Sequence, residues 1–201
     1  AQYEGFPKNS IEGAKPTSHY VPRFRNIYRQ ETDFLRGYAA GFSASPARVT
    51  DRRGFGASLK KQLLETKETG VWNVNSHMMG ETIPKESNQV TLDKEKVDSW
   101  GIPLLNINVE YDENDEKMIQ DFFEQFTEMF KKAGFVNIKK NDNKRRPGND
   151  IHEMGGVRMG KDPKTSLLNE WNQLHECKNV FVTDGACMAS TSTQNPSLTF
   201  M

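Results

Sequence analysis

The spacing of apolar positions divides the chain into stretches of different period. The sharpest pattern is NDEKMIQDFFEQFTEMFKKAG (Asn114–Gly134), in which Met118, Ile119, Phe122, Phe123, Phe126, Met129 and Phe130 recur at helical spacing. That spacing predicts an amphipathic helix with a wide apolar stripe. Acidic residues crowd its start, Lys131 and Lys132 its end, and Gly134 suits the position just past the last turn. A stripe with four phenylalanines reads as a face packed on a sheet before it reads as a ligand groove.

Elsewhere the period falls towards two. GVWNVNSHMMGETI from Gly70, NQVTLD (Asn88–Asp93) and GIPLLNINVEY (Gly101–Tyr111) read as strands. In the last, Leu105, Ile107 and Val109 alternate against Asn106, Asn108 and Glu110. RFRNIYRQ (Arg23–Gln30) and FVNIKK (Phe135–Lys140) also read as strands, and KNVFVTDG (Lys178–Gly185) as a short buried strand ending in Asp-Gly. GASLKKQLLE (Gly56–Glu65) predicts a short helix with Leu59, Leu63 and Leu64 on one side. The rest of the first 55 residues reads as loop-rich, and NDNKRRPGND as a charged loop full of breakers. Strands outnumber helices, so the expected fold class is α+β, a mostly antiparallel sheet with helices on one face.

Composition narrows the functional classes. Lys+Arg and Asp+Glu both number 27, and this zero net charge argues against a nucleic-acid binder, which needs a basic face. No apolar run reaches the length of a membrane span. The opening AQYEGFPKNS has neither an initiator Met nor an apolar signal region, so the chain reads as a mature or excised piece; the sequence does not fix the compartment, cytoplasmic or periplasmic. Cys177 and Cys187 make no disulfide framework and are expected as free thiols. His175, Glu176 and Cys177 supply too few ligands for structural zinc and read as a surface turn, so no metal is expected.

The candidate chemistry lies near the C-terminus. NDIHEMGGVRMG places His152, one of four histidines, ahead of the pair Gly155-Gly156. A lone histidine is more often structural than catalytic, Asn195-Pro196 alone is a turn, and Asp184 after a strand is a turn or cap residue. Adjacent glycines change the weighting, because they let a backbone approach a ligand closely. In combination, HEMGGVRMG followed by NVFVTDGACMASTSTQNPSLTFM resembles the C-terminal signature of the glucose–methanol–choline (GMC) flavoprotein oxidoreductases. His152, Gly155, Gly156, Met159 and Gly160 match its first segment, Asn179 to Val182 with Asp184 and Gly185 its strand, and Asn195, Pro196 and Thr199 its last motif. GETIPKESNQVTLDKEKVDSWGIP is similar, more weakly, to the strand pair of that family's substrate domain. The last thirty residues look closest to bacterial sugar or polyol dehydrogenases and to pyranose oxidase.

The resemblance implies an FAD-dependent enzyme that oxidises a CH–OH group of a sugar or polyol. A flavin takes the hydride; a neutral imidazole, titrating near pH 6.5, can take the hydroxyl proton. By resemblance His152 is that base, and Asn195 holds the alcohol oxygen so that its C–H faces the flavin. Gly155, Gly156, Asp184, Gly185, Asn195, Pro196 and Thr199 are the implied cofactor contacts. The start of the helix after Asn195–Pro196 would face the flavin's pyrimidine edge, where negative charge develops.

The G-x-G-x-x-G turn of a Rossmann FAD-binding unit is not found: GFGASL offers Gly54 and Gly56, with Leu59 at the third glycine position. The expectation is therefore a substrate-binding domain over 1–150 and a catalytic, flavin-contacting segment over 151–201. This piece would be truncated at its last helix, separated from an N-terminal FAD-binding domain, and inactive alone. Met154, Met159, Met188 and Phe200 would then be exposed and draw partners, including a second copy as a dimer. A non-enzymatic binding module that keeps the fold is the alternative, and a hydroxynitrile-type lyase a minor third reading.

Overall fold

The computed structural model describes residues 1–7, 18–46, 55–64, 69–143, 147–148 and 151–201. They form two compact units, each assembled from three separated stretches. One comprises Ala1–Pro22, Ala39–Met78 and Gln120–Asn141; the other comprises Arg23–Tyr38, Met79–Ile119 and Asp142–Met201.

The first unit is built on a four-stranded sheet of order β1-β4-β3-β2, with β1 at Gln2–Pro7, β2 at Ser18–Val21, β3 at Tyr38–Pro46 and β4 at Thr69–Gly80. β1 pairs antiparallel with β4 (Tyr3 opposite Trp72), and β2 with β3 (Tyr20 opposite Gly41). Three of these strands lie in the region whose sequence reads as loop, a correction. SHYV carries no two-residue hydrophobic alternation, and that of AAGFSASP (Ala40, Phe42 and Ala44 against Gly41, Ser43 and Ser45) rests mostly on small residues, so pairing with distant partners is what makes them strands. The helix predicted near residue 60 forms as α1 (Ala57–Leu64); the side chains of Leu59, Leu63 and Leu64 lie outside the described residues, as does Gly54.

α2 (Glu113–Lys132) follows the sequence pattern closely. Met118, Phe122, Phe126 and Phe130, four positions apart, are buried, whereas Met129 is 38% exposed. In the first unit Phe42 of β3 stacks on Phe126 at 5.4 Å between ring centroids and meets Phe130 edge-on at 5.8 Å. The part of the helix from Gln120 onward therefore covers one face of the sheet in that unit. Its start is a reciprocal cap. The Asp112 carboxylate accepts the Asn114 N–H at 2.9 Å and the Asp115 N–H at 3.3 Å, while Asp115 accepts the Asp112 N–H at 3.0 Å. Its end is a Schellman turn: Gly134 takes φ 81°, the Gly134 N–H bonds Lys131 O at 3.1 Å, and the Phe135 N–H bonds Phe130 O at 2.9 Å. The rings of Phe130 and Phe135, 5.1 Å apart, close that turn with an apolar contact.

The second unit contains the hairpin β5 (Gln89–Val97) and β6 (Pro103–Asn108), paired antiparallel. Here both strands form as read, but their alternation buries no face. Leu105 is 66% and Ile107 54% exposed, as are Val90 and Leu92 of β5, because a two-stranded ribbon has no inner layer of its own. Arg23–Gln30 is also not a strand. Asn26 takes φ 53°, and its amide bonds Thr32 Oγ1 and the carbonyls of Phe34 and Arg36 at 2.8–2.9 Å, winding 23–36 into a tight loop. Arg23 and Arg36 flank the buried Glu81 carboxylate at 3.8 and 3.7 Å. Phe135–Lys140 reduces to a single bridge, Gln2 with Val136, since Asn137 at φ 51° turns the chain away. In the loop 141–150, residues 144–146 and 149–150 lie outside the described residues.

Candidate functional site

The segment 151–160 runs between two neighbours in the second unit. On one side the N–H groups of Gly155, Val157 and Met159 bond the carbonyls of Gly185, Ala186 and Cys187 at 3.3, 2.9 and 3.0 Å. On the other, Arg158 O accepts the N–H groups of Leu167 and Leu168, and the Gly160 N–H bonds Leu168 O at 2.8 Å. The predicted glycines have a use here: Gly155 takes φ 83°, which an L side chain rarely adopts, and its Cβ would lie 3.3 Å from Met188 O.

The Gly185–Cys187 stretch is a 3-10 turn capped by Asp184, whose carboxylate accepts the Ala186 N–H at 3.0 Å. A Cβ on Gly185 would lie 2.8 Å from Met154 Sδ and 3.3 Å from Phe200 Cζ. Three sequence-distant pieces thus converge at Gly185: the residues after His152, the capped turn, and α3 (Ser197–Phe200), which follows Asn195-Pro196. Met154, Met159, Met188 and Phe200 are accordingly half-buried, not exposed as sequence suggests. The preceding stretch Lys178–Gly185 is neither a strand nor buried. It makes one bridge, Phe181 with Gln173, and Phe181 is 56% exposed because nothing lies over it within its own unit.

His152 is half-buried and Asn195 exposed; among the described residues neither side chain has a hydrogen-bond partner, and no bond joins them. The backbone just before His152 is unusual, since Ile151 is β-branched, 90% exposed and at φ 62°. Such strain persists only where surrounding structure imposes it. Gly156 faces open space, with no atom within 4 Å of a Cβ built on it. His175 acts structurally, its Nε2 lying 3.2 Å from both Ser166 Oγ and Gly160 O and so pinning the 160–166 loop. Cys177 and Cys187 are free thiols, as expected. Among the described residues there is no group of metal-ligating side chains and no helix long and apolar enough to cross a membrane. Sequence pattern passes over Arg158 and Lys164, whose spacing does not distinguish them from solvated cations.

The family model of the GMC oxidoreductases matches residues 84–201. The chain is similar to 2-methyl-1,2-propanediol dehydrogenase of Mycolicibacterium austroafricanum, 32% identical over 182 residues, covering 84% of this chain and 32% of that protein. It is similar to the fructose dehydrogenase large subunit of Gluconobacter japonicus, 29% identical over 140 residues, covering 70% and 25%. Paromamine 6'-oxidase of Streptomyces fradiae is 30% identical over 116 residues, covering 58% and 21%. The chain spans about a third or less of the length of these relatives. With the match extending over more than half of its residues, the chain belongs to the GMC oxidoreductase family.

Proposed function

We propose that the whole protein is an FAD-dependent oxidoreductase that oxidises a CH–OH group of a sugar or polyol, with His152 as the base. The single observation that carries this reading is the convergence at Gly185 of the segments bearing His152 and Asn195. The names of the relatives, a propanediol dehydrogenase and a fructose dehydrogenase among them, favour alcohol and sugar substrates.

The residues present suit one edge of a flavin. Gly156 leaves its side of the loop open, and the side chains of Asn195 and Thr199 are exposed. Asp184 is already engaged in capping Ala186, so its contribution is to hold the turn in shape. FAD, when bound, supplies the hydride acceptor. Gly155, Gly156, Gly185, Asn195, Pro196 and Thr199 would lie against it, His152 accepts the hydroxyl proton on a ring nitrogen, and the Asn195 amide orients the alcohol oxygen. Residues 1–150 would serve chiefly to bind substrate and 151–201 to carry the catalytic groups.

The test uses the full-length protein loaded with FAD, screened with sugars and polyols against an artificial acceptor dye. His152→Ala is expected to lower kcat by roughly 10²–10⁴-fold, the usual contribution of a general base. Turnover within a few-fold of wild type would assign the base elsewhere.

A further inference from the structure

The second unit also carries a cleft of about 220 Å³ on the far side of the 155–160 segment, lined by Gly156, Arg158, Lys164, Thr165 and Ser166 among others. Its wall is a tight turn. The Asp162 carboxylate accepts the Lys164 N–H at 2.9 Å, and the Asp162 carbonyl accepts the N–H groups of Thr165 and Ser166 at 3.0 Å. Arg158 is anchored across it, one guanidinium nitrogen donating to Thr165 O at 3.1 Å. An arginine has five N–H donors, so most of this fork remains unused. Neither Arg158 nor Lys164 has a carboxylate partner among the described residues, a state they share with exposed lysines such as Lys94, Lys96 and Lys161, but these two are the cations that line the cleft. No carboxylate lines the cleft; Asp162 is turned to the Lys164 backbone.

A solvated cation on a loop needs no cleft and no anchor. Two cations lining one open cleft, the arginine held to a main-chain carbonyl and no carboxylate beside them, suit negative charge. We propose that this cleft binds an oxyanion, the phosphate or carboxylate group of a small ligand. It lies on the backbone edge of 155–160 opposite the Gly185–Cys187 turn and meets the proposed flavin-facing edge only at Gly156; the inference does not rest on the oxidoreductase reading.

The test is an amide-resolved NMR titration of the isotopically labelled protein with inorganic phosphate, with acetate, and with chloride at matched ionic strength. Saturable shifts at Gly156, Arg158 and Lys164–Leu167 are expected in about the millimolar range for at least one oxyanion. Saturation by phosphate alone identifies a phosphate ester as the ligand class, and saturation by acetate a carboxylate. Arg158→Gln is expected to weaken binding about ten-fold or more, as loss of a charge-assisted hydrogen bond should. Lys164→Gln, whose side chain is exposed and bonds nothing in the fold, should weaken it several-fold even if Arg158→Gln fails to fold. Shifts that follow ionic strength equally in chloride, or undiminished binding in both variants, would overturn the proposal.

Discussion

Phe126→Ala is the most exacting test of how this fold is held together. Phe126 is 4% exposed, stacks on Phe42 of β3 and lies 4.5 Å from the Phe122 ring. Truncation to alanine removes the apolar transfer term and leaves a cavity between helix and sheet, about 3–5 kcal/mol in comparable cores. The two lost ring contacts, each about 0.5–1.5 kcal/mol beyond area burial, place the expected cost in the upper half of that range. A domain is stable by only about 5–15 kcal/mol, so the loss is a large part of the whole. With a urea slope of about 2 kcal/mol/M, the midpoint should fall by roughly 2 M. The assay is urea unfolding followed by far-UV circular dichroism and by fluorescence, in which Trp72 is the half-buried indole while Trp100 and Trp171 are exposed. Met129→Ala, three positions along the same helix and 38% exposed, is the internal control and should cost under about 1 kcal/mol. Should the alanine variant not fold, Phe126→Leu should still cost about 1–2 kcal/mol. Equal effects at Phe126 and Met129, or a Phe126→Ala cost below about 1 kcal/mol, would refute the packing described.

The other expectations concern caps, strain and cofactor. Gly134→Ala should cost about 1 kcal/mol in unfolding experiments, since alanine must then adopt φ 81°. Asp112→Ala should cost about 0.5–2 kcal/mol as the loss of an N-cap. Burial pushes the Asp115 carboxyl above the usual carboxylate range, against the opposing hydrogen bonds from the Asp112 N–H and Thr82. Its folded-state pKa is raised, so its charge disfavours folding above that pKa, and the penalty fades as pH falls through it. Asp115→Asn, which keeps an acceptor for the Asp112 N–H, should therefore raise the urea midpoint at pH 7 and lose that gain in acid; an equal gain at both pH values would refute the assignment. Ile151→Asn should stabilise by about 0.5–1 kcal/mol, because asparagine tolerates φ 62° and the isoleucine it replaces is exposed. The 201-residue chain by itself should bind FAD only weakly, since its sequence contains no glycine-rich dinucleotide turn; a titration giving micromolar or tighter affinity would contradict this.

The sequence alone determined whatever depends on neighbours within a few turns of the chain. The α2 stripe, its acidic start and its Gly134 stop are local, and the structure buries Met118, Phe122, Phe126 and Phe130 as the spacing requires. The order of motifs from His152 to Thr199 was legible through their resemblance to the family's signature, and at Gly155 the reason for the residue is local, since φ 83° limits what is allowed there. Tertiary structure decided the rest. β2 and β3 are strands because a partner supplies their ladder; β2 carries no alternation, and that of β3 rests on small residues around Phe42 alone. Arg23–Gln30 has the alternation of a strand, yet the Asn26 side chain offers its backbone better partners and overrides it. β5 and β6 form strands as their pattern predicts, but alternation cannot say what covers a face; that depends on layers distant in sequence, and Leu105 and Ile107 stay more than half exposed among the described residues. The same physics governs the candidate site. Taken singly, His152, Gly185 and Asn195 read as turns and loops and only the resemblance assigned them to one site; the folded chain draws Met154 and Phe200, their neighbours in sequence, together over Gly185.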